Sequence, residues 1–119
     1  MPISVLIVDD DPTFRVLAAR LLTEAGLVVV GEAANAADGL LMAKELSPDA
    51  ALVDVGLPDG DGFGLAHQLT GLPWPPRVVL TSVESDVGSD GAVRSAGAQA
   101  FVPKSELPDA PLAQLLAGD

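Results

Sequence analysis

Five short runs rich in Val, Leu, Ile and Ala recur along this chain, each followed by a stretch with helical spacing, and that alternation leaves few folds open. The runs are Ser4–Val8, Val28–Ala33, Ala50–Val53, Arg77–Leu80 and Ala100–Pro103. Strands alternating with helices read as βαβ units and hence as a parallel sheet. A sheet covered on both faces makes its strands continuous in apolar character, as in Ala50-Ala51-Leu52-Val53. The reading is therefore an α/β, doubly wound sandwich of five strands. The 119 residues suit one such domain and are too few for two cores.

Between the strands the boundaries follow local chemistry. Pro12-Thr13 suits a first helical turn, Phe14, Leu17, Leu21 and Leu22 recur at helical spacing, and Gly26 marks the stop. Asn35 is placed to cap a second helix carrying Leu40, Leu41, Ala43 and Leu46, which Ser47-Pro48 ends. Residues 62–72 form a helix weakened by Gly64 and Gly71, and Pro73-Trp74-Pro75-Pro76 is a stiff connector with Trp74 as a partly buried anchor. Gly88, Gly91 and Gly97 make the helix expected over 86–98 short or mobile, each costing about 1 kcal/mol against alanine. A last helix is expected to begin around Asp109–Pro111 and to end at Gly118.

Composition excludes several classes of function. Seventeen acids against six bases give a formal net charge of −11, a surface that repels phosphate backbones, so no direct nucleic-acid binding is expected. A basic partner or a divalent cation fits better. Without cysteine there are no disulfides or thiolate metal sites. The amino terminus lacks a signal peptide's basic and apolar regions, and no apolar run approaches the roughly 20 residues that span a bilayer. The expectation is a cytoplasmic protein with no membrane association.

Chemistry collects at the carboxyl ends of the strands, where open α/β sheets bind ligands. The first strand runs into Asp9-Asp10-Asp11, the third into Asp54, the fourth into Thr81-Ser82 and the fifth into Lys104. Converging carboxylates repel one another and need counter-charge. Lys104 supplies one, and a hard dication supplies the rest; all-oxygen ligands point to Mg2+. Magnesium, an ammonium and a hydroxyl make a cradle for a phosphoryl group, with an acid as nucleophile. Asp54 is the best candidate, in the middle strand between Thr81 and Lys104. Glycines 56, 60 and 62 would let backbone approach the metal.

Val8-Asp9-Asp10, Leu52-Val53-Asp54, Leu57-Pro58-Asp59-Gly60-Asp61-Gly62, Leu80-Thr81-Ser82 and Phe101-Val102-Pro103-Lys104-Ser105 together resemble the receiver domain of two-component response regulators, closest in style to LuxR/NarL-type receivers. The resemblance covers essentially the whole chain. It implies a flavodoxin-like, CheY-like (βα)5 sandwich with strand order 2-1-3-4-5. It implies phosphorelay signalling, in which Asp54 takes a phosphoryl group from a histidine kinase or a histidine phosphotransfer protein. Asp10, Asp54 and the Gly56 backbone carbonyl would hold Mg2+, with Asp9 acting partly through water. Lys104 would pair with a phosphoryl oxygen. Thr81 would move to bond the phosphoryl group, and Phe101 would rotate inward as the aromatic half of the switch. The output would be a changed face on the fourth helix, fifth strand and fifth helix, a surface for a homodimer. Residues 1–119 read as a single stand-alone receiver with no output domain, not an enzyme beyond its own phosphorylation and dephosphorylation. Ser105 follows Lys104 where the family often has proline. Gly56 and Val83 occupy the positions that tune hydrolysis, and neither offers a polar side chain.

Other readings exist for each piece. Asp9-Asp10-Asp11 alone is a solvated loop, and Asp54 alone a helix cap. Asp11 reads as a surface acid, Asp59 and Asp61 as turn formers, and His67 as a solvated helix residue. Asp9-Asp10-Asp11-Pro12-Thr13 also fits the Asp-x-Asp-x-Thr signature of haloacid-dehalogenase-type phosphatases, with Asp9 as nucleophile and Asp11 as general acid. That family needs a further acidic pair on a later strand, and only Glu106, Asp109 and Asp119 follow Lys104. A receiver-shaped interaction module that signals without phosphate would have no use for so costly an acid cluster.

Overall fold

The middle strand, β3 (Ala50–Asp54), is buried at every position, as a parallel strand covered on both faces must be. In this computed structural model, residues 2–84 and 90–118 are described. β1 (Ser4–Val8), β2 (Val28–Ala33), β4 (Arg77–Ser82) and β5 (Ala100–Pro103) complete a parallel sheet in the order β2-β1-β3-β4-β5. The doubly wound sandwich and its strand order are as expected. Asp54 pairs in register with Thr81, so β3 and β4 end together.

Helices α1 (Pro12–Glu24) and α5 (Leu112–Ala117) cover one face through Phe14, Ala18, Leu22, Leu112 and Leu116. On the other lie α2 (Ala36–Leu46), α3 (Gly62–Thr70) and α4 (Asp90–Ser95), packed through Ala43, Leu65, Leu69 and Val93. Burial of each such Val or Leu side chain contributes about 1.5–3 kcal/mol. Each of the first three helices starts on a side-chain cap. Asp11 accepts from the Thr13 amide, Asn35 from Asp38 and Asp61 from Gly64.

One expectation needs correction. Trp74 is not a buried anchor but 77% exposed. In the rigid proline connector it is Pro76 that is buried, and Trp74 stands outward. The last helix, α5, begins at Leu112, just past the expected Asp109–Pro111, and Gly118 caps its end as expected; a 3-10 helix over Lys104–Asp109 precedes it, and Lys104–Ser105 is a trans peptide. Gly62 has a packing role. A Cβ there would collide with the Asp54 carbonyl oxygen and the Val55 backbone, so its missing side chain lets α3 start against the end of β3. The helix expected over 86–98 is α4, short as anticipated; residues 85–89 lie outside the described ones.

Because the obstruction at Gly62 is backbone, it cannot swing aside. Gly62→Ala is expected to destabilise the domain by about 1–3 kcal/mol, the usual range for overpacking. Urea unfolding checks this, and a midpoint equal to wild type would show that the close approach carries no strain.

Candidate functional site

Asp9 follows β1 directly, and its amide donates to the Ala33 carbonyl (2.9 Å), fixing the first residue past the strand. Its carboxylate is 1% exposed; Oδ1 accepts from the Asp11 amide at 2.8 Å. Arg15, one turn into α1, donates from Nη1 to the Asp9 carbonyl at 2.6 Å and contacts Glu32 at 3.2 Å. Asp10 points into solvent, while Asp54 at the end of β3 is 6% exposed and accepts the Gly56 amide at 3.3 Å. Asp9, Asp10 and Asp54 each present an oxygen within 4.8 Å of the others.

Lys104, immediately past β5, brings the counter-charge. Its Nζ lies 2.8 Å from Asp9 Oδ2 and 3.7 Å from Asp54 Oδ2, and 4.1 Å from the centroid of the Phe14 ring. An open cavity of about 400 Å³ adjoins the cluster, lined by Asp10, Asp54, Gly56, Ser82, Val83 and Lys104 among others. Asp9 Oδ2 is buried and has Lys104 as its one counter-charge. Three carboxylates converging against one ammonium, with an all-oxygen donor set beside an open cavity, suit a hard dication with room for its waters.

Thr81 is fully buried and donates its hydroxyl to the Val102 carbonyl at 2.7 Å; Ser82, not Thr81, lines the cavity. Phe101 is half-buried against the core beneath α2, α3 and α4, in register with Leu80. The structure thus brings Asp9, Asp10, Asp54, Gly56 and Lys104 together. Thr81 sits beside Asp54 with its hydroxyl committed to β5.

Residues 5–115 match the response regulator receiver domain family. The chain belongs to that family. It is 38% identical over 103 residues to BvgA of Bordetella pertussis, a virulence-factor transcription regulator, covering 86% of this chain and 49% of that protein. A LuxR-family two-component response regulator from Aurantimonas superposes with a TM-score of 0.86 at 26% identity, over 99% of this chain and 87% of that one. The signal receiver domain of NarL from Mycobacterium tuberculosis gives 0.77 at 32% identity, over 93% and 94%. The chain spans about half the length of the first curated relatives it matches.

As a receiver domain of two-component signalling, the chain leaves nothing in favour of the phosphatase reading. Asp11, the general acid of that scheme, is exposed, and its carboxylate caps α1. Three contributors escaped the sequence reading. Arg15 and Phe14 both lie one turn past the acids, where a helical period was visible but not its target. Asp59 is more than a turn former: its two oxygens accept the Ala36 and Ala37 amides at 2.7 and 3.0 Å, capping α2 from the loop after β3. Among the described residues no helix is long and apolar enough to cross a membrane.

Electrostatics sets Asp54 apart. Burial pushes its carboxyl above the usual range and the Asp9 charge adds to this; Lys104 and the Gly56 amide pull it down without cancelling the rise, and Asp10 raises it further. The folded state therefore holds the Asp54 proton more tightly than the unfolded chain, and stability on its account falls as pH rises through that window. Asp59 is the opposite case. Its helix-capping amides lower its pKa, so its contribution is present at neutral pH and lost on acidification. In divalent-free buffer at pH 7, Asp54→Asn is expected to melt a few degrees above wild type, the gap closing toward about pH 4. Asp59→Asn should melt below wild type at pH 7 and converge with it in acid. Calorimetry across pH checks both signs; an Asp54→Asn protein less stable than wild type at pH 7 would contradict the first.

Proposed function

We propose that Asp54 is the phosphoacceptor of this receiver domain, and that a histidine kinase or histidine phosphotransfer protein supplies the phosphoryl group. The observation that carries this is the Lys104 ammonium, 2.8 Å from Asp9 and 3.7 Å from Asp54, at the mouth of an open cavity. An Asp54 oxygen attacks phosphorus and the N–P bond of the donor phosphohistidine breaks. The imidazole nitrogen keeps the electron pair and takes a proton. Lys104 orients a phosphoryl oxygen and neutralises part of its charge. Asp9, Asp10, Asp54 and the Gly56 carbonyl would hold Mg2+, which when bound supplies the remaining positive charge against the phosphoryl oxygens.

The Thr81 hydroxyl then leaves the Val102 carbonyl for the phosphoryl group, and Phe101 reorients with it. The readout surface is the face of α4, β5 and α5, where self-association is one outlet. On this reading the domain is cytoplasmic, binds no nucleic acid directly, and catalyses nothing beyond the chemistry on its own aspartate. The net charge of −11 favours partners with a basic face.

Intact-mass analysis after incubation with acetyl phosphate and Mg2+ tests the acceptor. The expected result is one magnesium-dependent phosphoryl adduct on wild type and none on Asp54→Asn. An adduct lost in Asp9→Asn but kept in Asp54→Asn would transfer the role to Asp9. Magnesium alone should raise the melting temperature, since a ligand at ten times its Kd contributes about 1.4 kcal/mol; no shift for wild type would speak against the metal site.

The phosphoryl group should also outlast seconds. Gly56 offers no side chain, a Cβ there would meet nothing within 4 Å, and Val83 is 81% exposed and apolar. Neither can orient an attacking water. Decay of the purified adduct within seconds would refute this.

A further inference from the structure

Phe14 sits in the layer between α1 and the sheet with Ala18 and Leu22 and is 7% exposed. As a core side chain it would need only apolar neighbours. Its ring instead carries a charge: Lys104 Nζ stands 4.1 Å from the centroid. A cation within about 6 Å of an aromatic face is attracted by the ring quadrupole, more strongly when desolvated. The Lys104 side chain is only 14% exposed.

Asp9 provides the second observation. Its buried Oδ2 lies 2.8 Å from the ammonium, and no other group satisfies that oxygen. The ammonium is therefore held between the Asp9 carboxylate and the ring face. Lysine is a compact charge on a flexible four-carbon stem, and nothing in its own structure fixes where the charge rests. With Asp9 on one side and an aromatic face on the other, the stem has a defined end point.

We propose that Phe14 is a positioning residue for phosphoryl transfer: its ring holds the Lys104 ammonium beside the Asp9–Asp54 pair with N–H donors available to a phosphoryl oxygen. This rests on Asp54 being the phosphoacceptor. The ring touches neither substrate nor metal and acts through Lys104 alone.

The test is a double-mutant cycle on the rate of adduct formation from acetyl phosphate with Mg2+, read by intact mass. Phe14→Leu keeps an apolar side chain and removes the ring. Its rate should fall about 5- to 30-fold, while Phe14→Tyr, which keeps the ring, should stay within about twofold of wild type. In a Lys104→Met background, followed over long incubations, Phe14→Leu should have less than about a twofold effect, because the group it positions is gone. Should Phe14→Leu fail to fold by circular dichroism, Phe14→Met takes its place in the cycle. A Phe14→Leu rate equal to wild type overturns the inference. So does an equal loss with and without Lys104, which would mean that the ring serves the fold. No adduct on wild type removes the phosphoacceptor reading itself and this inference with it, an outcome distinguishable from the other two.

Discussion

Like charges do not share a sheet edge without help, and the site is organised around that repulsion. Two unit charges about 4 Å apart interact by about 4 kcal/mol at an effective dielectric near 20. Asp9 and Asp54 are both nearly buried, and Asp10 adds a third carboxylate within reach. The strand order sets which cation can answer them. β1 and β3 are neighbours, so their terminal acids face each other. The lysine comes from β5, beyond β4, and reaches both acids across the end of β4. One ammonium against three carboxylates leaves the cluster negative, and burial together with the Asp9 charge keeps Asp54 harder to ionise than a free carboxyl even with Lys104 beside it. That residual negative charge is the physical reason a dication fits here.

The scaffold answers the same demand on one side by rigidity. Gly62 seats the first turn of α3 against the Asp54 carbonyl, and the Gly62 amide donates to the Val55 carbonyl at 2.8 Å. Asp59, in the loop between, ties itself to the first amides of α2. The backbone that carries Asp54 is thus bonded to two helices. Asp9 is fixed equally well, by Ala33 on one side and Arg15 on the other.

Much of this was legible from sequence, and the reason is specific. Asp9, Asp54, Thr81 and Lys104 each follow an apolar run, so a correct reading of the strands placed them along one edge. The strands were readable because a sheet buried on both faces needs Val, Leu and Ala without polar interruption. What stayed hidden was contact between segments distant in the chain. Asp59 caps a helix that begins 23 residues earlier, and nothing local to Leu57-Pro58-Asp59-Gly60 announces that. Phe14 showed the period of a core residue, which it is, but periodicity does not say which ring face meets a lysine 90 positions away. Trp74 misled because aromatic character argued for burial, whereas the prolines fix the connector so that Pro76 takes the inner position.

The Thr81 hydroxyl, on the other side of the site, is held more lightly, and this asymmetry is where a switch has room to act. Thr81 is tied to β5 through one neutral hydrogen bond to the Val102 carbonyl. Such a bond contributes about 0.5–1.5 kcal/mol net, whereas one to a charged group contributes about 1.5–3 kcal/mol. Exchange of the first for the second favours a Thr81 turned toward a phosphorylated Asp54. Val102 lies two residues before Lys104 and next to Phe101, so the carbonyl that Thr81 would abandon belongs to the strand that bears both the counter-charge and the aromatic side chain. Rearrangement of that kind needs no movement of β1 or β3, whose ends are pinned. A charge placed on Asp54 can therefore draw Thr81 away from β5 while leaving the acid cluster intact, because one neutral hydrogen bond holds its hydroxyl there.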